Sequence, residues 1–105
     1  MKLIVAIVDD TDVDQVMTTL IGQHISVTRV SSTSGLFSPG NSTLLIGVDE
    51  KDVPQVMKVI TDLASLRQSV IPYIHDGNTP LTGFTEVEVG GFLAFVLNVD
   101  HFEQV

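Results

Sequence analysis

The chain has no cysteine among its 105 residues, which excludes disulfides, thiolate metal sites and a cysteine nucleophile together. Basic residues are scarce. Lys2, Arg29, Lys51, Lys58 and Arg67 are scattered along the chain and face 13 acidic side chains, for a formal net charge of -8. That balance is unsuited to a nucleic-acid patch. Long hydrophobic runs are also missing: after Lys2 only six apolar residues precede Asp9. This is shorter than a signal-peptide core, no small-residue cleavage site follows, and nothing approaches a membrane span of about 18 apolar residues. The expectation is a soluble, cytoplasmic protein that contacts neither nucleic acid nor membrane.

Catalytic signatures are absent as well. There is no G-x-S-x-G, H-E-x-x-H, Walker or dinucleotide fingerprint. His24, His75 and His101 stand in separate segments without companion ligands. No nucleophile, base and oxyanion hole come together, so the reading is of a protein with no catalytic residues, no metal and no cofactor.

What the chain does hold is a compact domain's worth of apolar residues. Hydrophobic content is 44%, and mean hydropathy is +0.36. A single domain over 1–105 is expected, able to hide about two-thirds of its unfolded surface, so self-association would help it bury the remainder. Leu3 to Val8 is a continuous run, the pattern of a strand covered on both faces. Asp9, Asp10 and Asp12 then offer N-caps, and Val13, Val16, Met17, Leu20 and Ile21 fall at helical spacing over 12–23. Ile25 to Val30 alternates as a second strand; 31–43, rich in Ser, Gly and Thr, reads as a loop; Leu44 to Val48 reads as a buried strand.

The segment Val8–Met17 recurs as Val48–Met57, sharing Asp9/Asp49, Asp12/Asp52, Val13/Val53, Gln15/Gln55 and Val16/Val56 at an offset of 40 residues. Two copies point to a pair of strand–helix units, the second helix admitting Pro54 in its first turn and reaching about Leu66. From Arg67 to Thr85 the prolines Pro72 and Pro80, the glycines Gly77 and Gly83 and one short apolar island, Val70-Ile71, read as a long loop or a loosely paired excursion. Glu86–Val89 alternates, Gly90-Gly91 reads by default as a bulge, and Phe92–Val99 is strand-like. The order β-α-β-β-α-β fits an α+β, ferredoxin-like βαββαβ sandwich.

Asp10-Thr-Asp12-Val-Asp14 imitates half of an EF-hand loop, but Gln15 stands where that loop needs glycine and Ile21 where it needs glutamate. These acids are better read as capping a helix start and opposing its dipole, and Asp49, Glu50 and Asp52 likewise. The loop 31–43 carries hydroxyls and glycine amides suited to an anion, with Leu36 and Phe37 able to cover a base or a neighbouring subunit. A solvated connection with both hydrophobes tucked inward is the alternative for the same residues.

Taken jointly, Met1–Val8, Thr33-x-Gly35, Gly40-Asn41-Ser-Thr43, Gly47-Val48, Glu86–Gly91 and Val99-Asp100-x-Phe102-x-Gln104 resemble the PII-like receptors for cyclic di-AMP, from residue 1 to 105. The resemblance implies a bacterial, homotrimeric, non-enzymatic signal-transduction protein. It would bind the dinucleotide in clefts between subunits and relay its level to a downstream protein through two mobile loops, here 31–43 and 67–85. It implies Thr28, Gly35, Leu36, Phe37, Asn41 and Gly47 on one wall of the cleft, with Gly91, Phe95 and Gln104 also at cleft positions. Asn41 and Gln104 carry the paired donor and acceptor groups that read an adenine edge. Trimer formation is expected to bury Leu44, Ile46, Phe92 and Phe95 between subunits.

The chain departs from the family where Ser26 replaces a common arginine two residues before Thr28. Arg29 lies an odd offset away and is expected on the opposite strand face. Ser34-Gly35-Leu36-Phe37 replaces Gly-Gly-Phe-Leu, and 67–85 is shorter than usual. A structural trimer that has lost its nucleotide is therefore the alternative reading.

Overall fold

The computed structural model of the chain describes residues 1–30, 40–74 and 82–105, those at 70–74 and 82–85 by backbone alone. Six strands and two α-helices follow in the order β1 (Lys2–Asp9), α1 (Asp10–Gly22), β2 (Thr28–Val30), β3 (Asn41–Val48), α2 (Val53–Ala64), β4 (Arg67–Ile74), β5 (Thr82–Val89) and β6 (Phe92–Asn98). A short 3-10 turn, Glu50–Asp52, leads into α2.

The principal sheet has the order β2-β3-β1-β6 and is antiparallel throughout. Both crossovers carry a helix, and each joins two parallel strands with a third strand between them. This small α+β arrangement is compatible with the ferredoxin-like pattern expected from the sequence. β1 lies at the centre because its run Leu3–Val8 has apolar side chains on both faces. Ile4, Ala6 and Val8 turn to the helices beside Leu44, Ile46 and Val48 of β3. Val13, Val16 and Leu20 of α1, with Val56, Val59, Ile60 and Ala64 of α2, close over them as one core. The helical spacing that placed these residues on one stripe is what buries them.

Three sequence expectations change and one narrows. Ile25–Val27 lie outside β2: Ile25 is buried in the core instead, and the strand is Thr28–Val30. Asn41–Thr43 belong to β3 rather than to a loop over 31–43; residues 31–39 lie outside the described residues. Of the two readings of 67–85 the described residues take the paired one, and 75–81 lie outside them. Arg67–Ile74 and Thr82–Val89 pair as an antiparallel hairpin with Arg67 opposite Val89 and Ile74 opposite Thr82. Pro72 fits because each strand of a two-stranded ribbon has a free edge, where a missing N–H costs no ladder bond. Gly90-Gly91 is also no bulge. It is the connection by which the chain leaves the hairpin and enters the principal sheet, with φ of 80° and 94° at the two residues.

The hairpin pairs within itself and has few contacts with the core elements beyond its base. The molecule is correspondingly elongated, 64 × 29 × 20 Å. Among the described residues no helix is long and apolar enough to cross a membrane.

Candidate functional site

Alternation divides the principal sheet into a helix-covered face and an open one. The register sets Leu3 beside Gly47 and Leu97, Val5 beside Leu45 and Phe95, and Ile7 beside Thr43 and Leu93, all on the open face. Leu93, Phe95 and Leu97 are 60%, 52% and 48% exposed, so a row of large hydrophobes faces away from this subunit's own core. The expected interface residues therefore change. Leu44 and Ile46 are fully buried against the helices and Phe92 packs partly against the same core, leaving Phe95 on the open face. The reason is strand parity: Leu44 and Ile46 are even-numbered on β3, and the helices cover the even side.

Thr28 pairs with Leu45, which puts it on the open face with Asn41, Gly47 and Phe95. Arg29 pairs with Leu44 and points the other way, as its odd offset requires. There its Nε donates to Ser42 Oγ at 3.2 Å, and its guanidinium lies 3.4 Å from Asp14 and 3.8 Å from Asp10. Ser42 in turn donates to Asp10 Oδ1 at 2.6 Å.

The sequence-derived site residues fall into two groups. Thr28 and Gly47 lie at the end of the sheet where β1 begins, and line a hollow of about 280 Å³ with Met1, Leu3, Leu45, Val99 and Phe102. Gln104 follows two residues after Phe102 in the exposed C-terminal segment. A second hollow, also about 280 Å³, adjoins the first through Met1 and Gly47 and is lined by His24, Ile25, Ser26, Val48, Asp49 and Asp52. Asn41 lies at the other end of β3, opposite Asp9, six residues or about 20 Å from Gly47. Gly91 is at that end too, its N–H donating to the Ala64 carbonyl at 2.7 Å and so closing the C-terminus of α2. Gly35, Leu36 and Phe37 lie outside the described residues.

The acidic residues at the helix starts behave differently from one another. Asp9 caps α1, accepting from the Thr11 N–H at 2.9 Å and the Thr11 hydroxyl at 2.8 Å. The backbone hydrogen bond from Thr11, followed by the hydroxyl, holds the Asp9 carboxyl below its ordinary value. Asp49 and Asp52 make no capping hydrogen bond, so the expectation for the second copy of the repeat fails: its first turn is 3-10 and leaves neither side chain over a free N–H. Asp12 is no solvated helix-start acid. It is 3% exposed and takes both arms of Arg67. Sequence reading missed this pair because 55 residues separate its members. It also left Met1, Leu3, Leu45 and Val99 unassigned, since only the register unites them. Among the described residues no cluster of His, Cys, Asp or Glu could hold a metal.

A family model described as the cyclic-di-AMP receptor matches residues 1–105. Among solved structures, a functionally unknown protein from Pediococcus pentosaceus ATCC 25745 is 35% identical, covering 99% of this chain and 96% of that one, with a TM-score of 0.80.

Proposed function

This chain belongs to the cyclic-di-AMP receptor family, and from that premise we propose that it is a non-enzymatic, cytoplasmic signalling protein. It binds cyclic di-AMP between the subunits of a PII-like homotrimer and relays binding to a downstream protein. The observation that carries the reading is the distribution of Thr28, Gly47, Asn41 and Phe95 on the one sheet face that its own helices leave open. The two groups of site residues are too far apart within one subunit to close around a single small ligand. Neighbouring subunits packed through Leu93, Phe95 and Leu97 would bring the Thr28–Gly47 end of one against another's sheet. A small domain with this much exposed strand hydrophobe gains most from such packing. Relay would run through residues 31–43 and the β4–β5 hairpin, which stands clear of the core.

The test is isothermal titration of the purified protein with cyclic di-AMP and, separately, ATP. Saturable binding near one ligand per subunit, with ATP inert, supports the receptor. Silence at millimolar cyclic di-AMP defeats the ligand assignment.

A second reading, a structural trimer without a nucleotide, is favoured by the hollow around Ser26. It contains Asp49 and Asp52 and neither lysine nor arginine. A guanidinium–phosphate contact contributes about 1.5–3 kcal/mol, so its absence weakens binding by about one to two decades. Ser26→Arg should sharpen cyclic-di-AMP affinity if the rest of the cleft is intact; no gain favours the structural trimer.

A further inference from the structure

We infer that Arg29 is a positioning residue: from the helix-covered side of the sheet, with Ser42 and Asp10, it fixes the backbone that presents Thr28 and Asn41 on the open side. The inference rests on the nucleotide-binding reading above. β2 needs such a fixture. It is an edge strand of three residues, hydrogen-bonded on one side and exposed at every position, so burial does little to hold it to β3. The apolar anchors stop short of it: Ile25 is buried and Val27 packs partly against the core, whereas Val30 is 41% exposed.

At Arg29 a polar anchor takes over. Its Nε donates to the Oγ of Ser42, which is 4% exposed and so held firmly within β3. Ser42 donates onward to Asp10, and the guanidinium faces Asp10 and Asp14, which stitches β2 and β3 to α1. Asp10 also reaches both neighbours of Asn41. Its N–H donates to the Gly40 carbonyl at 2.8 Å, while its carboxylate accepts from Ser42. Charge decides that Arg29 holds rather than touches a ligand. Two carboxylates already face the cation, and its odd offset turns it from the face that carries Thr28. Hydrogen bonds linked in a partly buried network fix geometry better than an isolated surface ion pair, which contributes little.

The test combines calorimetric titration of the full chain with cyclic di-AMP and amide hydrogen exchange of the free protein. Arg29→Met keeps the stem and removes the donors. It should speed exchange over Thr28–Val30 while β1 and β6 stay protected, and should weaken binding about tenfold. Arg29→Lys, which keeps a cation before Asp10 and Asp14, should restore part of both. In a Thr28→Val background, Arg29→Met should cost less than about twofold more, because the hydroxyl it positions is already gone. Additive losses would mean that Arg29 touches the ligand or acts globally, and would overturn the inference. Parent-like binding or parent-like exchange in Arg29→Met would overturn it too, with the receptor reading left standing. Silence of the parent at millimolar ligand defeats the receptor reading, and this inference with it.

Discussion

Arg67 grips Asp12 with two parallel hydrogen bonds, Nη2 to Oδ1 at 2.7 Å and Nη1 to Oδ2 at 3.2 Å. Asp12 is nearly sealed from solvent, whereas the Arg67 side chain is half-exposed. The pair ties the first residue of the hairpin to the first turn of α1, and the hydrogen bonding of Arg67 to the Asp12 carboxylate raises the pKa of Arg67 further. Bidentate geometry of this kind is both stronger and more directional than a single ionic contact.

The burial asymmetry gives an order of effects. Arg67→Met keeps much of the stem but strands a buried carboxylate, whereas Asp12→Asn leaves an exposed cation that water solvates. Arg67→Met should therefore lower the melting temperature more than Asp12→Asn. The double variant should recover part of the loss, which thermal melts by circular dichroism would register. Equal single effects would mean that Asp12 is not buried in solution.

Gly90 is packed against this pair. A Cβ there would fall 2.4 Å from Arg67 Nη1 and 2.9 Å from the Ser65 carbonyl, at a φ of 80°. At Gly91, φ is 94° but the nearest atom is Leu66 Cδ1 at 3.6 Å. Both alanine variants carry the left-handed backbone cost of about 1–2 kcal/mol, and only Gly90→Ala adds a clash with backbone. Chemical denaturation should rank Gly90→Ala as the more damaging.

Asp9 supplies the pH prediction. Its folded pKa is depressed by the Thr11 hydrogen bonds, so its contribution is fully present above the unfolded value of about 3.9. It is lost as pH falls through the lower folded value. Asp9→Ala should cost about 1 kcal/mol at neutral pH, as N-cap removal does, and should flatten the fall in stability below about pH 4. Urea titrations at several pH values would show this; an unchanged acid limb would mean that other carboxylates dominate.

The two faces of the sheet should respond to opposite chemistry. Leu44→Ala removes a fully buried side chain and should cost about 2–5 kcal/mol of folding stability. Phe95→Glu, on the open face, should leave the subunit folded and reduce the proposed trimer to a particle near 11.3 kDa by light scattering. An unchanged assembly would place the interface elsewhere.

Much of this fold is readable in particular segments. Leu3–Val8 identifies a central strand because it is apolar at both parities, and Val13, Val16 and Leu20 identify α1 by their spacing. The parity of Arg29 against Thr28 predicted which side each takes, and the register agrees. The β4–β5 hairpin was only partly legible: Glu86–Val89 alternates, but a ribbon standing away from the core carries little burial pattern over Arg67–Ile74 and tolerates Pro72. The assignment of Leu44 and Ile46 to the interface failed for a related reason. Parity says that two residues share a face, yet nothing local says which face the helices will cover.

By itself the sequence determined what depends on neighbours in the chain: strand parity, helix stripes, the Asp9 cap and the motifs that carry family membership. Only the tertiary structure decided what depends on chain closure. It paired Asp12 with Arg67, set Phe102 beside Thr28 and Gly47, and parted Asn41 from Gly47 along β3. Contacts between distant segments follow from how the apolar stripes of the whole chain are buried at once, and no local pattern encodes that sum.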